Sequence, residues 1–258
     1  MTAPDDRWQP LAQRYVDHYQ TLYGQVRTHV VHAHLRAHLP PPPAPVVDIG
    51  GGAGHQAIPL ARDGYDVTIV DSSPEMLAHA AASLTDEPAG VAGRTKLVEA
   101  GAEDAPGILG EGGFAGVLCH GVIPYFEDPD PLVKALSRLA TPGGIVSLVA
   151  KNAHALAVRP AQRKDWPATL AAFDARSQRN ELGLETRGDT PEELSVLLVA
   201  HGVEPLDWYG VRLFTDDFGR FEGVVDPSDP VLAAELEASR RDPYRQLSRL
   251  FHLVGVRL

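Results

Sequence analysis

Four glycines occupy Gly50, Gly51, Gly52 and Gly54, directly behind the apolar run Val46-Val47-Asp48-Ile49 and ahead of Ala57-Ile58-Pro59-Leu60-Ala61. That order reads as a buried strand, a tight turn and the start of a helix. Glycine admits positive φ and lets a ligand touch main chain without meeting a Cβ, while free N–H groups at a helix start attract electron-rich atoms. The chemistry is that of a nucleotide-type site. Dinucleotides and S-adenosylmethionine both use such a turn. The dinucleotide fingerprint needs G-x-G-x-x-G, but counted from Gly50 and Gly52 its third glycine falls on His55, whereas D-x-G-x-G-x-G runs unbroken from Asp48 to Gly54. The spacing favours the methyl donor; a glycine turn alone also serves as a plain tight turn, so the surroundings decide.

In an open α/β sheet a ligand lies beyond the carboxyl ends of the strands, where strand order reverses. Several candidates end strands there. Asp71 closes Asp66-Val67-Thr68-Ile69-Val70, where an acid can accept from both ribose hydroxyls. Ala102-Glu103-Asp104 follows a strand over 96–99, and this small residue with polar neighbours can frame an adenine ring. His120 ends a strand over 116–119, beside the expected position of a sulfonium and its methyl group. Asp48 is expected to orient the glycine turn through hydrogen bonds rather than to touch ligand.

The elements that must position these residues alternate. Strands at 46–49, 66–70, 96–99, 116–119 and 144–149 are separated by helices from the glycine turn to about 64, over 74–84 with Ser73 as cap and Pro74 at the first helical position, and over 131–139. Short connections make this a parallel sheet covered on both faces. One or two helices over 8–39 precede it, ending in the breaker Pro40-Pro41-Pro42-Pro43. Residues 151–190 break the rhythm, with a weak helical period and no strand-like run, and read as an insertion over the ligand edge. A helix over 191–201, a strand over 203–213, a helix over 231–249 and a closing apolar run over 250–258 complete the chain. The division expected is a helical extension over 1–45 and a main domain over 46–258 carrying the insertion.

Composition bounds the function. The chain has 258 residues, 44% hydrophobic and 22% charged, with net charge −11 and a single cysteine, Cys119. Acids in the first ten residues and the absence of a long apolar stretch predict a cytoplasmic protein with no membrane association. One cysteine excludes an intrachain disulfide and a multi-thiolate metal site, and Cys119 reads as an inert buried thiol; no metal is expected. The negative charge argues against broad nonspecific nucleic-acid binding but leaves room for a local basic patch.

The D-I-G-G-G-A-G turn, Asp71, and Thr141-Pro142-Gly143-Gly144 before the fifth strand together resemble the class I S-adenosylmethionine-dependent methyltransferases. Tyr23-Gly24-Gln25-Val26-Arg27, Asn152-Ala153-His154, Tyr209-Gly210-Val211-Arg212 and the ending from Glu235 to Leu258 are similar to the bacterial tRNA 5-carboxymethoxyuridine methyltransferases, with Lys151 where that family carries an aromatic residue. The resemblance implies a Rossmann-like fold with a mostly parallel seven-stranded sheet, S-adenosylmethionine as donor and S-adenosylhomocysteine as product. It also implies methyl esterification of a carboxylate on a wobble uridine in the tRNA anticodon region. Carried over residue by residue, it assigns Arg27, Gly50, Gly51, Asp71, Ala102 and His120 to the donor; Asp48, Gly52 and Glu103 complete the expected set. Arg27 also has a physical reading, since a guanidinium pairs with the methionine carboxylate.

Methyl transfer from a sulfonium is an in-line displacement, so positioning does most of the work. No residue is singled out as a certain catalyst, although His120 and Arg212 are candidates. Lys151, Asn152, His154 and Arg212 are the expected acceptor contacts. For a tRNA acceptor, Arg159, Arg163 and Lys164 in the insertion, and Arg241, Arg245 and Arg249 at four-residue steps on one helix face, would neutralise phosphates. The competing reading is a small-molecule acceptor beneath a lid over 151–190, and a third is a donor-binding protein without turnover.

Overall fold

The computed structural model describes residues 11–180, 182–216, 226 and 228–258; the first ten residues, on which part of the leading-helix expectation falls, lie outside them. The strands are β1 (Pro45–Ile49), β2 (Asp66–Asp71), β3 (Thr95–Glu99), β4 (Phe114–His120), β5 (Ala140–Lys151), β6 (Ser177–Arg179), β7 (Glu185–Arg187), β8 (Val203–Val211) and β9 (Leu250–Arg257). The helices are α1 (Ala12–Gln20), α2 (Leu22–His38), α3 (Ala57–Arg62), α4 (Pro74–Thr85), α5 (Ala89–Ala92) and α6 (Ala105–Leu109). They continue with α7 (Asp130–Leu139), α8 (Val158–Gln162), α9 (Trp166–Ala172), α10 (Pro191–Ala200) and α11 (Pro230–Arg240).

Seven strands form one sheet in the order β3-β2-β1-β4-β5-β9-β8. The pairs among β1 to β5 are parallel, and β9 runs antiparallel to both β5 and β8. The chain winds outward from β1 to β3 and then returns to β4 on the other side of β1. This reversal opens the crevice at the carboxyl ends of β1 and β4, and the glycine turn stands there.

Alternation along each strand feeds two cores. Val46 and Leu118 face α2, α3, α4 and α11, whose Val26, Val30, Leu35, Leu60 and Leu232 they meet. Val47, Ile49, Val117 and Cys119 face α7 and α10 through Leu132, Leu136, Leu139 and Leu198. Cys119 is fully buried, and burial pushes its thiol up from the ordinary range.

Local chemistry sets the helix ends. Ser73 Oγ accepts from Met76 N at 3.2 Å with Pro74 next in line, which starts α4. Thr190 and Glu193 form a reciprocal capping box at α10. Leu39 is extended ahead of the prolines, and α2 stops there. Among the described residues no helix is long and apolar enough to cross a membrane.

Two expectations are corrected. The helix expected over 231–249 ends at Arg240: Arg241 is extended (φ −112°, ψ 125°) ahead of Asp242-Pro243, because proline disfavours helical backbone before it and offers no N–H. Arg241, Arg245 and Arg249 therefore share no helix face. The segment over 151–190 does contain strands, the antiparallel pair β6–β7. Three polar residues a side are too short to show alternation, and the pair is closed by Asn180 Oδ1, which accepts from Leu182 N and Leu184 N, both at 3.0 Å.

Candidate active site

At the glycine turn Gly50 and Gly52 have φ of +67° and +55°. A Cβ on Gly50 would lie 2.4 Å from Val122 Cγ2, and one on Gly52 would lie 2.7 Å from Met76 Cε, an atom that can shift; at both positions the positive φ strains any side chain. Gly50 N and Gly51 N donate to Val70 O at 2.8 and 3.1 Å. Gly52 N donates to Asp71 Oδ2 at 2.9 Å, and Asp71 Oδ1 accepts from Ser73 N at 2.9 Å. The turn is thus held by β2 and Asp71 where the sequence pointed to Asp48. The β1–β2 ladder simply continues past Ile49. Asp48 instead lies against Gly51, buried, and burial lifts its carboxyl to about 7 while Arg27 opposes and Asp71 assists. Burial also raises Asp71, offset by hydrogen bonds from Ser73, Gly52 and Ser72.

Ala102 and Glu103 follow β3, the first half-buried against the core and the second exposed. With Asp71 they stand outside the linings of the crevice's smaller recess and larger cleft. The smaller recess is lined by Tyr15, Tyr19, Arg27, Asp48, Gly50, Gly51, His55 and His120, among others. Sequence reasoning missed its tyrosines. They come from α1, and together with Tyr23 on α2 they recur every fourth residue, the one signal that pointed to them. Tyr19 stacks on His55 with ring centroids 4.1 Å apart, and its hydroxyl meets that of Tyr15 at 3.1 Å.

Arg27 reaches under this aromatic roof. Its Nη2 donates to His120 O at 3.0 Å, its guanidinium lies 5.0 Å from the Tyr19 ring centroid, and its buried Nε has no partner among the described residues. Burial and then Arg212 draw it down from the ordinary arginine value, with Tyr15, Asp48 and Tyr125 opposing. His120 offers its carbonyl to Arg27 and turns its ring inward, Nε2 lying 2.8 Å from Ser147 Oγ. Burial, then Arg27, lowers the His120 ring to about 3, so it is neutral at physiological pH.

A larger cleft of about 850 Å³, open to solvent, adjoins at Tyr15, Tyr19 and Arg27. Lys151, Arg159, Arg212 and Arg249 line it, and among the described residues no Asp or Glu does. Lys151 Nζ donates to Gln178 O at 2.9 Å and Thr186 Oγ1 at 2.7 Å. Burial and then Arg249 pull its ammonium down to about 7. Asp216 stands behind the wall as a tether: Arg159 grips it with Nε at 2.9 Å and Nη2 at 2.7 Å, and Arg212 Nη2 donates to it at 2.6 Å. Arg212 is a non-glycine residue at φ +64°, its guanidinium 4.7 Å from the Tyr23 centroid and its buried Nε without a partner among the described residues. Backbone held in the left-handed region costs roughly 1–3 kcal/mol and persists only where the surroundings impose it.

The other expected acceptor contacts are not brought to the cleft. Asn152 is buried and committed, its Nδ2 donating to Gln246 O and Ser248 O at 2.9 Å each and its Oδ1 accepting from His154 N. His154 is exposed on the following turn. Arg163 and Lys164 are exposed beyond α8, Arg241 pairs with Glu237, and Arg245 binds Asp242 through two nitrogens at 2.9 Å. Arg249 moves from the expected outer face into the cleft, where its Nη1 donates to Gln178 Oε1 at 3.0 Å.

Comparisons with known proteins bear on the fold and the reaction. A family profile for a methyltransferase domain matches residues 47–148. The tRNA 5-carboxymethoxyuridine methyltransferase of Escherichia coli K12 is 28% identical over 240 residues, covering 92% of this chain and 90% of that protein. A ubiquinone biosynthesis O-methyltransferase of Xanthomonas campestris is 32% identical over 129 residues, but covers 48% of this chain and 52% of its own length. Among solved structures, the CcbJ methyltransferase of Streptomyces caelestis superposes with a TM-score of 0.62 at 16% identity, over 90% of this chain and 96% of that one. The 1,6-didemethyltoxoflavin-N1-methyltransferase of Burkholderia thailandensis, solved with S-adenosylhomocysteine, gives 0.55 at 19% identity over 100% and 91%. The structural likeness speaks for the fold and the matched domain for the reaction: this chain is an S-adenosylmethionine-dependent methyltransferase with a Rossmann-like fold.

Proposed function

We propose that this methyltransferase esterifies a carboxylate, and that its acceptor is the 5-carboxymethoxy group of a wobble uridine in tRNA, modified in the cytoplasm. The observation that carries the reading is the cleft wall: Lys151, Arg159, Arg212 and Arg249 face one space, and among the described residues no acidic side chain lines it. Such a wall suits an anion. The similarity to the Escherichia coli enzyme along nearly the whole chain supports the particular acceptor.

The donor fits the smaller recess and the adjoining strand ends. Gly50 and Gly52 offer bare main chain, Asp71 keeps lone pairs for ribose hydroxyls, Ala102 and Glu103 flank the base, and Arg27, whose buried Nε is unpartnered, takes the α-carboxylate. When bound, S-adenosylmethionine supplies an electrophilic methyl group on a sulfonium that departs with the bonding electron pair. The protein's part is positioning. Arg212 and Lys151 hold one carboxylate oxygen so that the other faces the methyl at roughly 3 Å in line with the leaving group. A carboxylate with a pKa of about 4 is already an anion at neutral pH, so no general base is required.

A small acid is the second reading, favoured by one observation. Arg241 and Arg245 are engaged with Glu237 and Asp242, so the outer face gives a polyanion less than the sequence promised. Mass analysis of total tRNA from a strain lacking the gene separates the two. The proposal expects the free carboxymethoxy nucleoside to accumulate and its methyl ester to vanish. An unchanged ester level points to the small acid.

A further inference from the structure

Behind His120 a chain of buried polar side chains crosses the core: His120, Ser147, His252, His34 and Ser239. Each hydroxyl carries one proton and each neutral imidazole one, so the partners fix the direction of every bond. The three rings are neutral, since burial brings His34 and His120 to about 3 and lowers His252 well below its ordinary value. Ser239 Oγ donates to Leu236 O at 2.7 Å and therefore accepts from His34 Nε2 at 3.0 Å. His34 then presents a bare Nδ1 to His252 Nδ1 at 3.4 Å, which makes His252 the Nδ1–H tautomer with a bare Nε2. Ser147 Oγ donates to that Nε2 at 2.7 Å and accepts from His120 Nε2 at 2.8 Å. His120 is left with a bare Nδ1, buried and without a partner among the described residues.

A buried acceptor without a donor costs free energy unless a ligand supplies one. Arg27, bonded to the carbonyl of this same histidine, carries the complementary vacancy: a buried cationic N–H without an acceptor. Both residues line the smaller recess. A cationic donor beside a neutral acceptor matches the carboxylate and ammonium of one α-amino acid.

Resting on the donor site proposed above, we infer that Ser239, His34, His252 and Ser147 are positioning residues, a hydrogen-bond relay that fixes His120 as the Nε2–H tautomer so that its Nδ1 accepts from the α-ammonium of the methyl donor. The opposite tautomer would turn an N–H toward that ammonium. The far end of the relay, on α11, thereby sets the chemistry of a side chain at the end of β4.

Two measurements test this. Histidine ¹⁵N spectra of the ligand-free protein at neutral pH should show Nε2–H with bare Nδ1 for His34 and His120, and the reverse for His252; an Nδ1–H on His120 overturns the inference. Calorimetry should then compare S-adenosylhomocysteine with its deaminated analogue. Wild type should prefer the amine by about tenfold, as a charge-assisted hydrogen bond allows. Ser147→Ala should lose most of that preference, and Ser147→Thr, which keeps the hydroxyl, should retain it, with melting curves confirming that both variants fold. An undiminished preference in Ser147→Ala overturns the relay. A wild type that binds neither ligand removes the donor-site reading itself, and the spectra still decide the tautomers.

Discussion

Arg27 Nη2 lies 3.0 Å from the carbonyl oxygen of His120, joining residues 93 positions apart. Through this bond α2 is anchored to the end of β4, and the helices ahead of the sheet become the roof of the crevice. A buried guanidinium that donates to a carbonyl while its Nε has no partner among the described residues is poorly compensated in the free protein. The deficit is what a carboxylate would repair.

Arg27→Ala should therefore weaken S-adenosylhomocysteine binding by about 1.5–3 kcal/mol, the range for a hydrogen bond to a charged group. A decarboxylated analogue should bind wild type poorly and respond little to the substitution. Titration calorimetry reads both, and equal losses for the two ligands would place Arg27 elsewhere.

Asp71 holds Gly52 N and Ser73 N, so its removal should act twice. Asp71→Ala is expected to weaken donor binding and also to destabilise the fold by about 1–3 kcal/mol, because two partly buried N–H groups lose their acceptor. Denaturant unfolding without ligand measures the second effect separately. Loss of affinity with unchanged stability would mean that Asp71 serves ribose alone.

Local rules made the glycine turn and the strand end beside it legible. The glycine spacing, Asp71 after a short apolar strand and the Ser73-Pro74 cap all act within a few residues, and the structure keeps them. The cationic cleft was harder to read because its wall is assembled from β5, α8, the end of β8 and the residue before β9, brought together only by antiparallel pairing at the far side of the sheet. Arg212 was singled out within a stretch that resembles a family and Lys151 as a departure from that family's pattern, whereas Asp216, which tethers Arg159 and Arg212, was not foreseen at all. The arginine face expected over 231–249 failed on one dipeptide, Asp242-Pro243, whose backbone consequence outweighs a favourable side-chain period.

Lys151 gives the account a pH signature. Burial brings its native ammonium to about 7, while in the unfolded chain it titrates at about 10.4. Between those values the unfolded state holds more protons, so the Lys151 contribution to stability rises with pH across that window and is smallest at and below its lower edge. The stability advantage of Lys151→Met over wild type should accordingly shrink as pH rises from 7 toward 10. Acceptor binding should show the opposite sign: a carboxylate prefers the charged ammonium, so wild-type affinity falls above about pH 7 and proton uptake accompanies binding. A flat profile shared by wild type and variant would remove Lys151 from acceptor recognition.

Arg212 and Arg241 make a matched contrast. Arg212→Ala should raise the acceptor KM and lower kcat/KM by about 1.5–3 kcal/mol of transition-state stabilisation, with donor affinity unchanged. Arg241, exposed and paired with Glu237, should matter by less than about 1 kcal/mol when replaced by alanine. If tRNA is the acceptor, replacing Arg241 and Arg245 together should leave the salt dependence of KM nearly unaltered, since both are already paired with acids. A marked flattening of that dependence would return the phosphate contacts to the outer face.

The most direct test of carboxylate esterification is the fate of label from methyl-labelled S-adenosylmethionine, incubated with purified enzyme and tRNA that carries the free 5-carboxymethoxy group. An ester is cleaved by mild alkali, whereas methyl groups on nitrogen, carbon or ether oxygen survive it. The account predicts label in the tRNA that mild alkali releases as volatile methanol, with little incorporation by Arg212→Ala. Label that resists alkali, or tRNA that stays unlabelled, would contradict it.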